Sequence, residues 1–136
     1  MKHIIVLYFI LLTPAAFSQK VAHFSCGTRG KESFEEFSFW IRDNARAEIY
    51  YRFGKAEEEI KLTYAGRSLF KNRPCFKVRF SNGYELFIAP KDRGLKIADE
   101  DEHYNLLFLW ESDRINDGSC VEDELDAITL IKQYFM

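Results

Sequence analysis

Apolar and polar side chains alternate in short runs between residues 34 and 110 of this chain. In the run FEEFSFWIR, Phe37, Phe39 and Ile41 alternate with Ser38 and Trp40, and the run AEIYYRF repeats the pattern. A period of two is typical of β-strands that bury one face. Aromatic residues make up 16% of the chain, which also favours strands. The pattern therefore predicts a domain built mainly from β-strands.

Residues 56–61 are good helix formers that interrupt this pattern. The next residues return to it, because Ile60, Leu62 and Tyr64 alternate with polar neighbours. A helix would need ten or more residues of 3.6-residue periodicity, which this segment does not have. We therefore predict a hairpin in which Gly54 provides the turn and residues 55–58 form a charged tip.

The run CFKVRFSNGYELFIAP predicts a second hairpin and its register. A two-residue turn would mix apolar and charged side chains on each face, whereas a three-residue loop at 81–83, with Gly83 left-handed, keeps them apart. The chosen register pairs Phe80 with Tyr84, Val78 with Leu86, Phe76 with Ile88, and Arg79 with Glu85.

The last third of the chain predicts one covered strand and a helix. HYNLLFLWES is apolar on both faces, as in a strand that is buried on both sides. Ser119 and Glu122 have the spacing of a capping box before a helical stripe, which predicts a helix over 120–133 packed on the sheet. A final strand, ITLIKQYF, is the alternative. The stripe consists of Val121, Leu125, Ile128, Ile131 and Phe135. We thus expect an antiparallel barrel or sandwich of six to eight strands with a C-terminal helix.

The first 18 residues have the features of an export signal. Lys2 and His3 precede an apolar run from residue 4 to residue 12 that is too short to span a bilayer. Ala16 and Ser18 then offer a small-x-small cleavage site that would leave Gln19 first. We expect a signal peptide at 1–18 and a single domain at 19–136, without a membrane anchor, in the periplasm or outside the cell.

Three cysteines in an exported chain allow one intramolecular disulfide. We favour Cys26 with Cys120, because these residues flank the predicted body of the fold, and a ring of that length stabilises by about 4 to 5 kcal/mol in the chain-entropy model. Cys75 lies in a strand pattern and is expected to pack as a small apolar side chain. The alternative for Cys75 is an exposed thiol or an intermolecular bridge.

Charge is distributed unevenly although the net charge is only −2, a total that argues against nucleic-acid binding. Residues 66–96 contain eight Lys or Arg against Glu85 and Asp92, whereas residues 97–126 contain eleven Asp or Glu against Arg114. Either two solvated segments attract each other, or the surface steers a charged partner. The candidate partner surface comprises Arg67, Lys71, Arg73, Lys55, Trp40 and Tyr50.

The sequence offers little catalytic or metal-binding chemistry. Beyond the signal only His23 and His103 remain, and a pairing of Cys75 with His103 lacks a third orienting residue. DRINDGSCVEDE resembles a calcium loop, with Asp113, Asp117, Gly118 and Glu124 in place, but Ile115 occupies a ligand position. We therefore expect no catalytic residues, no metal and no cofactor.

The strings IYYRFGKAEEEIKLTY and FSNGYELFI, followed by a cysteine and a short helical stretch, resemble small exported bacterial proteins of uncharacterised function. These proteins share a YRFG hairpin and an F-x-N-G-Y hairpin. The resemblance implies an antiparallel sheet protein with a bridging cysteine pair. The chain is more distantly similar to periplasmic C-type lysozyme inhibitors, but their S-G-x-x-Y and Y-x-x-x-T-K-G motifs are absent.

These features predict a non-catalytic secreted or periplasmic binding protein. An inhibitor or immunity-type partner of an envelope enzyme or toxin would present a protruding loop, at 55–58 or 95–103. A glycan or small-ligand module would instead present a concave aromatic pocket. An enzyme, the third possibility, would require a cleft that gathers Cys75, His103 or paired acids.

Overall fold

The computed structural model describes residues 19–111 and 121–136. The predicted signal peptide, Cys120 and most of the calcium-like loop lie outside these residues. Within these residues, eight strands precede one helix. The strands are β1 (Lys20–Cys26), β2 (Glu35–Ile41), β3 (Ala47–Phe53), β4 (Ile60–Phe70), β5 (Arg73–Arg79), β6 (Glu85–Lys91), β7 (Gly94–Ala98) and β8 (Asn105–Trp110), and the helix is α1 (Glu124–Phe135).

The strands form one closed antiparallel barrel in sequence order. Each strand pairs with its neighbours in the chain, and β8 returns to β1. The closing seam is short: Phe24 pairs with Trp110 and Ser25 with Leu109, whereas β1 and β2 pair over seven positions. The predicted fold class is confirmed. Because the sheet is closed, the fold is a barrel and not a sandwich.

Both predicted hairpins are confirmed. β3 ends at Phe53 and β4 begins at Ile60, with Gly54 at a positive φ of 64° in the turn. Between β5 and β6 the predicted register is found, including Arg79 opposite Glu85. Gly83 has a φ of 91°, as the three-residue loop requires.

Aromatic side chains fill the interior of the barrel. The inward-facing phenylalanines of β2 and β5 are completely buried, and an eight-stranded barrel is just wide enough for side chains to fill it. The rings meet edge to face, as in the contacts of Phe39 with Phe24 at 5.9 Å and with Phe76 at 6.2 Å between centroids. The phenylalanines of the core cluster are Phe24, Phe37, Phe39, Phe76, Phe108 and Phe135.

Helix α1 closes one end of the barrel. Phe135 packs against Phe39 and Phe76, and its carbonyl oxygen accepts a 2.6 Å hydrogen bond from the Tyr64 hydroxyl. The helix begins at Glu124 rather than at residue 120, because Asp123 caps it by accepting a 2.8 Å bond from the Asp126 amide.

One residue of the predicted apolar stripe is on the wrong face. Leu125, which the prediction placed in the stripe, is 75% exposed. The buried residues of the helix are Ala127, Leu130, Ile131 and Phe135.

The outer face of β8 is also a correction. The prediction covered both faces of this strand, but Leu107 and Leu109 are 44% and 52% exposed. Phe108 between them faces the core and is fully buried. The helix lies across the end of the barrel and leaves these two leucines uncovered.

Candidate functional site

The β4–β5 hairpin bends over the outer face of the barrel. The register between the strands shifts at Gly66, which has a φ of 98°, and the tip is a two-residue turn at Lys71 and Asn72. Both turn residues have positive φ, the geometry of the hairpin turn that matches strand twist. The tip reaches the β7–β8 loop, where the Lys71 ammonium group hydrogen-bonds the Glu102 carboxylate.

A pocket of about 170 Å³ lies beneath this tip, and we call it the hairpin pocket. Its apolar floor consists of Cys75, Ala89 and Ala98 from the outer faces of β5, β6 and β7. Phe70 and Phe87 form one wall, with stacked rings 4.7 Å apart between centroids. The pocket therefore offers apolar surface within an otherwise charged part of the barrel.

Charged side chains from three chain segments surround this apolar floor. They are Lys71 and Arg73 from the hairpin, Lys96 from β7, and Glu102 from the β7–β8 loop. Glu102 pairs with Lys71 and stands 4.0 Å from the Lys96 ammonium group. The hydrogen bond from Lys71 lowers the pKa of Glu102. Three cations thus face one carboxylate, and Arg73 forms no ion pair within the described residues.

The pocket unites two of the predicted partner-surface residues, Lys71 and Arg73. Arg67 pairs with the inward-facing Phe76 across the hairpin and does not line the pocket. Lys55 is exposed in the β3–β4 turn, also outside the pocket. Sequence reasoning did not assign Lys96 and Glu102 to the site, although the opposite charges of their segments hinted that they would meet.

Trp40 and Tyr50, the predicted aromatic members of the surface, lie on the outer face of β2 and β3. There they belong to a group that we call the Glu48 cluster. The Arg42 guanidinium lies 4.2 Å from the Trp40 ring centroid and donates a 2.8 Å bond to Glu48. The Tyr50 hydroxyl also donates to Glu48, at 2.9 Å. These contacts hold both aromatic side chains against the barrel.

Glu48 has further cations around it. Arg46 donates a 3.1 Å bond to its second oxygen, and Lys61 stands 3.8 Å away. The hydrogen bonds from Arg42 and Tyr50 lower the pKa of Glu48 from 4.5 to about 2. Its side chain is only 10% exposed. The Glu48 cluster is thus closed around its own carboxylate.

Inside the barrel Glu35 is a buried carboxylate with two hydroxyl donors. Tyr51 donates to its Oε1 at 2.8 Å and Tyr104 at 2.6 Å. Burial, with these hydrogen bonds to Glu35, raises the pKa of both tyrosines. Burial, and then the charge of Glu35, raises the pKa of Cys26 nearby. These contacts satisfy the carboxylate within the fold.

Cys75 and His103, considered above as a thiol and its base, do not form a hydrogen bond with each other. The Cys75 thiol is buried, bonds the Ser68 hydroxyl instead, and has a pKa raised chiefly by burial. His103 is exposed in the β7–β8 loop. Neither Cys26 nor Cys75 forms a disulfide within the described residues, and Cys120, the predicted partner of Cys26, lies outside them.

Residues 19–111 and 121–136 contain neither a metal-binding cluster nor a membrane-spanning helix. No three His, Cys, Asp or Glu side chains come together there as a metal site. No helix in this part of the chain has the length and apolar character to cross a membrane.

The chain was compared with protein-family models, with curated proteins and with solved structures, and none of these comparisons gave a match.

Proposed function

We propose that this chain is an exported, non-catalytic binding protein of the cell envelope that engages a protein partner through the hairpin pocket. The excess of cations around the apolar floor is the observation that carries the proposal. Lys71, Arg73 and Lys96 face the single carboxylate of Glu102. Apolar surface beside unbalanced charge is what an interface centre with a polar rim requires.

The state of the thiol favours binding over catalysis. A cysteine nucleophile needs a lowered pKa and an adjacent base. Cys75 is 2% exposed, and burial raises its pKa. It therefore supplies apolar floor to the pocket and no reactive group.

The aromatic contacts favour a protein partner over a glycan. A sugar ring stacks on a free aromatic face, but the Phe70 ring stacks on Phe87 and also has the Lys71 ammonium group 5.8 Å from its centroid. The Trp40 ring is covered by Arg42. A charged rim, in contrast, suits the acidic side chains of a protein. An inhibitor or immunity-type partner of an envelope enzyme or toxin fits these features.

A capture experiment from the envelope fraction tests the proposal. The mature protein is compared with the double variant K71E/R73E and with the matched control R67E/K91E. Arg67 and Lys91 are exposed, lie outside the hairpin pocket, and form no ion pair within the described residues. We expect the first variant to lose its main partner and the control, with the same change of net charge, to retain it.

Equal retention by both variants would contradict the role of the hairpin pocket. Equal loss by both would mean that net charge alone attracts the captured proteins. A thermal unfolding curve for each variant establishes that it is folded before its binding is compared.

Export and the disulfide belong to the same proposal. The apolar run at 4–12, the cleavage site after Ser18, and the spacing of Cys26 and Cys120 support them. Mass measurement of the exported protein should find Gln19 first, a linked peptide with Cys26 and Cys120, and one alkylatable thiol after unfolding. Cys75 in the linked peptide would overturn the pairing.

A further inference from the structure

One carboxylate of the chain already occupies the mouth of the hairpin pocket. The Oε2 atom of Glu102 accepts a hydrogen bond from the Lys71 ammonium group. The Oε1 atom of Glu102 lies 4.0 Å from the Lys96 ammonium group. Glu102 therefore bridges the hairpin tip and β7. A site that holds an internal carboxylate between two lysines has the geometry to hold an external one.

The contacts of Glu102 are of a kind that can be exchanged. Lys71 remains 65% exposed in the pair and Lys96 31%, so water reaches both ammonium groups. Exposed pairs of this kind hold only weakly, because solvent screens them and flexible side chains must be ordered. Arg73, with no ion pair within the described residues, adds a guanidinium group that can bind a carboxylate through two hydrogen bonds.

The hairpin pocket as a whole has room for one large side chain. Its volume is about 170 Å³, and a protein cavity of about 150 Å³ accepts a benzene molecule. Its floor of Cys75, Ala89 and Ala98 presents only small groups. An aromatic or large aliphatic side chain fits there.

We propose that Glu102 stands in for a partner's carboxylate, and that the hairpin pocket takes an acidic segment in which an Asp or Glu adjoins a large apolar residue. The partner carboxylate replaces Glu102 between Lys71 and Lys96, and the apolar side chain lies on the floor. This inference rests on the proposed function and names the chemistry that the partner presents.

Fluorescence anisotropy with labelled octapeptides tests the inference on the mature protein. One peptide alternates glutamate with phenylalanine, and the second has glutamine at every glutamate position. We expect the glutamate peptide to bind and the glutamine peptide to bind at least tenfold more weakly. Added salt should weaken the binding, because the Debye length shortens.

Removal of the internal carboxylate gives the sharper result. E102Q should bind the glutamate peptide about two- to fivefold more tightly than the wild type, since an exposed pair contributes about that factor. E100Q is the matched control, because Glu100 is an exposed residue of the same loop and the substitution changes the net charge equally. We expect E100Q to match the wild type and K71E/R73E to bind at least tenfold more weakly.

The inference is overturned if the glutamine peptide binds as well, if E102Q and E100Q gain equally, or if neither peptide binds. These failures are distinguishable from failure of the proposed function. A captured partner that still depends on Lys71 and Arg73 would leave the function standing and exclude this ligand chemistry. If the glutamate peptide binds but no partner is captured, the ligand chemistry stands and the proposed function fails.

Discussion

The Glu48 cluster and the hairpin pocket place the same elements, one carboxylate and several cations, on two outer faces of one barrel. In the Glu48 cluster the side chain of the acid is 10% exposed and accepts bonds from Arg42, Arg46 and Tyr50. In the hairpin pocket Glu102 is 25% exposed and is held by lysines. Arginine forms a rigid fork on a carboxylate, whereas lysine is a flexible point charge.

The two sites differ in role: the Glu48 cluster stabilises the fold, and the hairpin pocket is suited to binding. A carboxylate saturated by arginine and tyrosine fixes β3 and the β2–β3 turn, and a partner's carboxylate cannot readily replace it. A carboxylate shared by exposed lysines contributes little to folding and leaves cations available. The same residue types therefore carry different roles according to burial and donor geometry.

The largest effect is expected for Glu48→Gln. This change removes the negative charge that three cations surround, and it should lower the free energy of unfolding by on the order of 3 kcal/mol at pH 7. Glu102→Gln, the matched change in the hairpin pocket, should leave the urea midpoint unchanged. Urea denaturation measures the free energy of unfolding of both variants. An equal decrease in both would contradict the distinction between the two sites.

Acid should reveal the same contribution in the wild type. The folded-state pKa of Glu48 is about 2 against an ordinary 4.5, so its stabilisation is complete above pH 4.5. It is lost as the pH falls towards 2, by on the order of 3 kcal/mol. The difference in unfolding free energy between the wild type and Glu48→Gln should therefore shrink between pH 5 and pH 2. A constant difference would mean that Glu48 titrates normally.

A smaller loss is expected for Tyr50→Phe. This change removes one 2.9 Å hydrogen bond to Glu48, which is worth about 1 kcal/mol. Partner capture should be unchanged, because Tyr50 serves the fold. If Tyr50→Phe is as stable as the wild type but captures no partner, Tyr50 belongs to the binding surface.

The smallest effect on stability is expected for Lys71→Gln. The exposed pair with Glu102 is screened by solvent and contributes little to folding, so the thermal midpoint should stay within error of the wild type. Peptide binding should nevertheless weaken. A large drop in the midpoint would show that Lys71 supports the hairpin tip and is not available to a ligand.

Local chemistry explains which parts of the fold the sequence predicts. The β5–β6 register follows from Gly83 and from the alternation on either side of it, all within a few residues. Closure of the barrel depends on β8 meeting β1 across most of the chain, which alternation does not encode. The helix start was misplaced because Ser119 and Glu122 mimic a cap, while Asp123 and Asp126 form the cap that the structure has.

The candidate site was predictable only in part, for a similar reason. Charge counting over residues 66–96 selects Lys71 and Arg73, but it also selects Arg67, which lies outside the pocket. Which cations converge depends on the bend at Gly66 and on the β7–β8 loop carrying Glu102 to the hairpin tip. These contacts join residues that are distant in sequence.

The short pairing of β1 with β8 determines where the barrel opens first. Two paired positions and the 2.8 Å bond from the Glu111 amide to the His23 carbonyl hold the ring closed there, against seven paired positions between β1 and β2. Local opening begins where the fewest backbone hydrogen bonds must break, so amide protons along this line should exchange with deuterium before those of β2. An opened seam exposes two bare strand edges, and a second molecule could pair with them. We therefore expect aggregation of this protein to begin with the loss of a few backbone bonds beside Trp110.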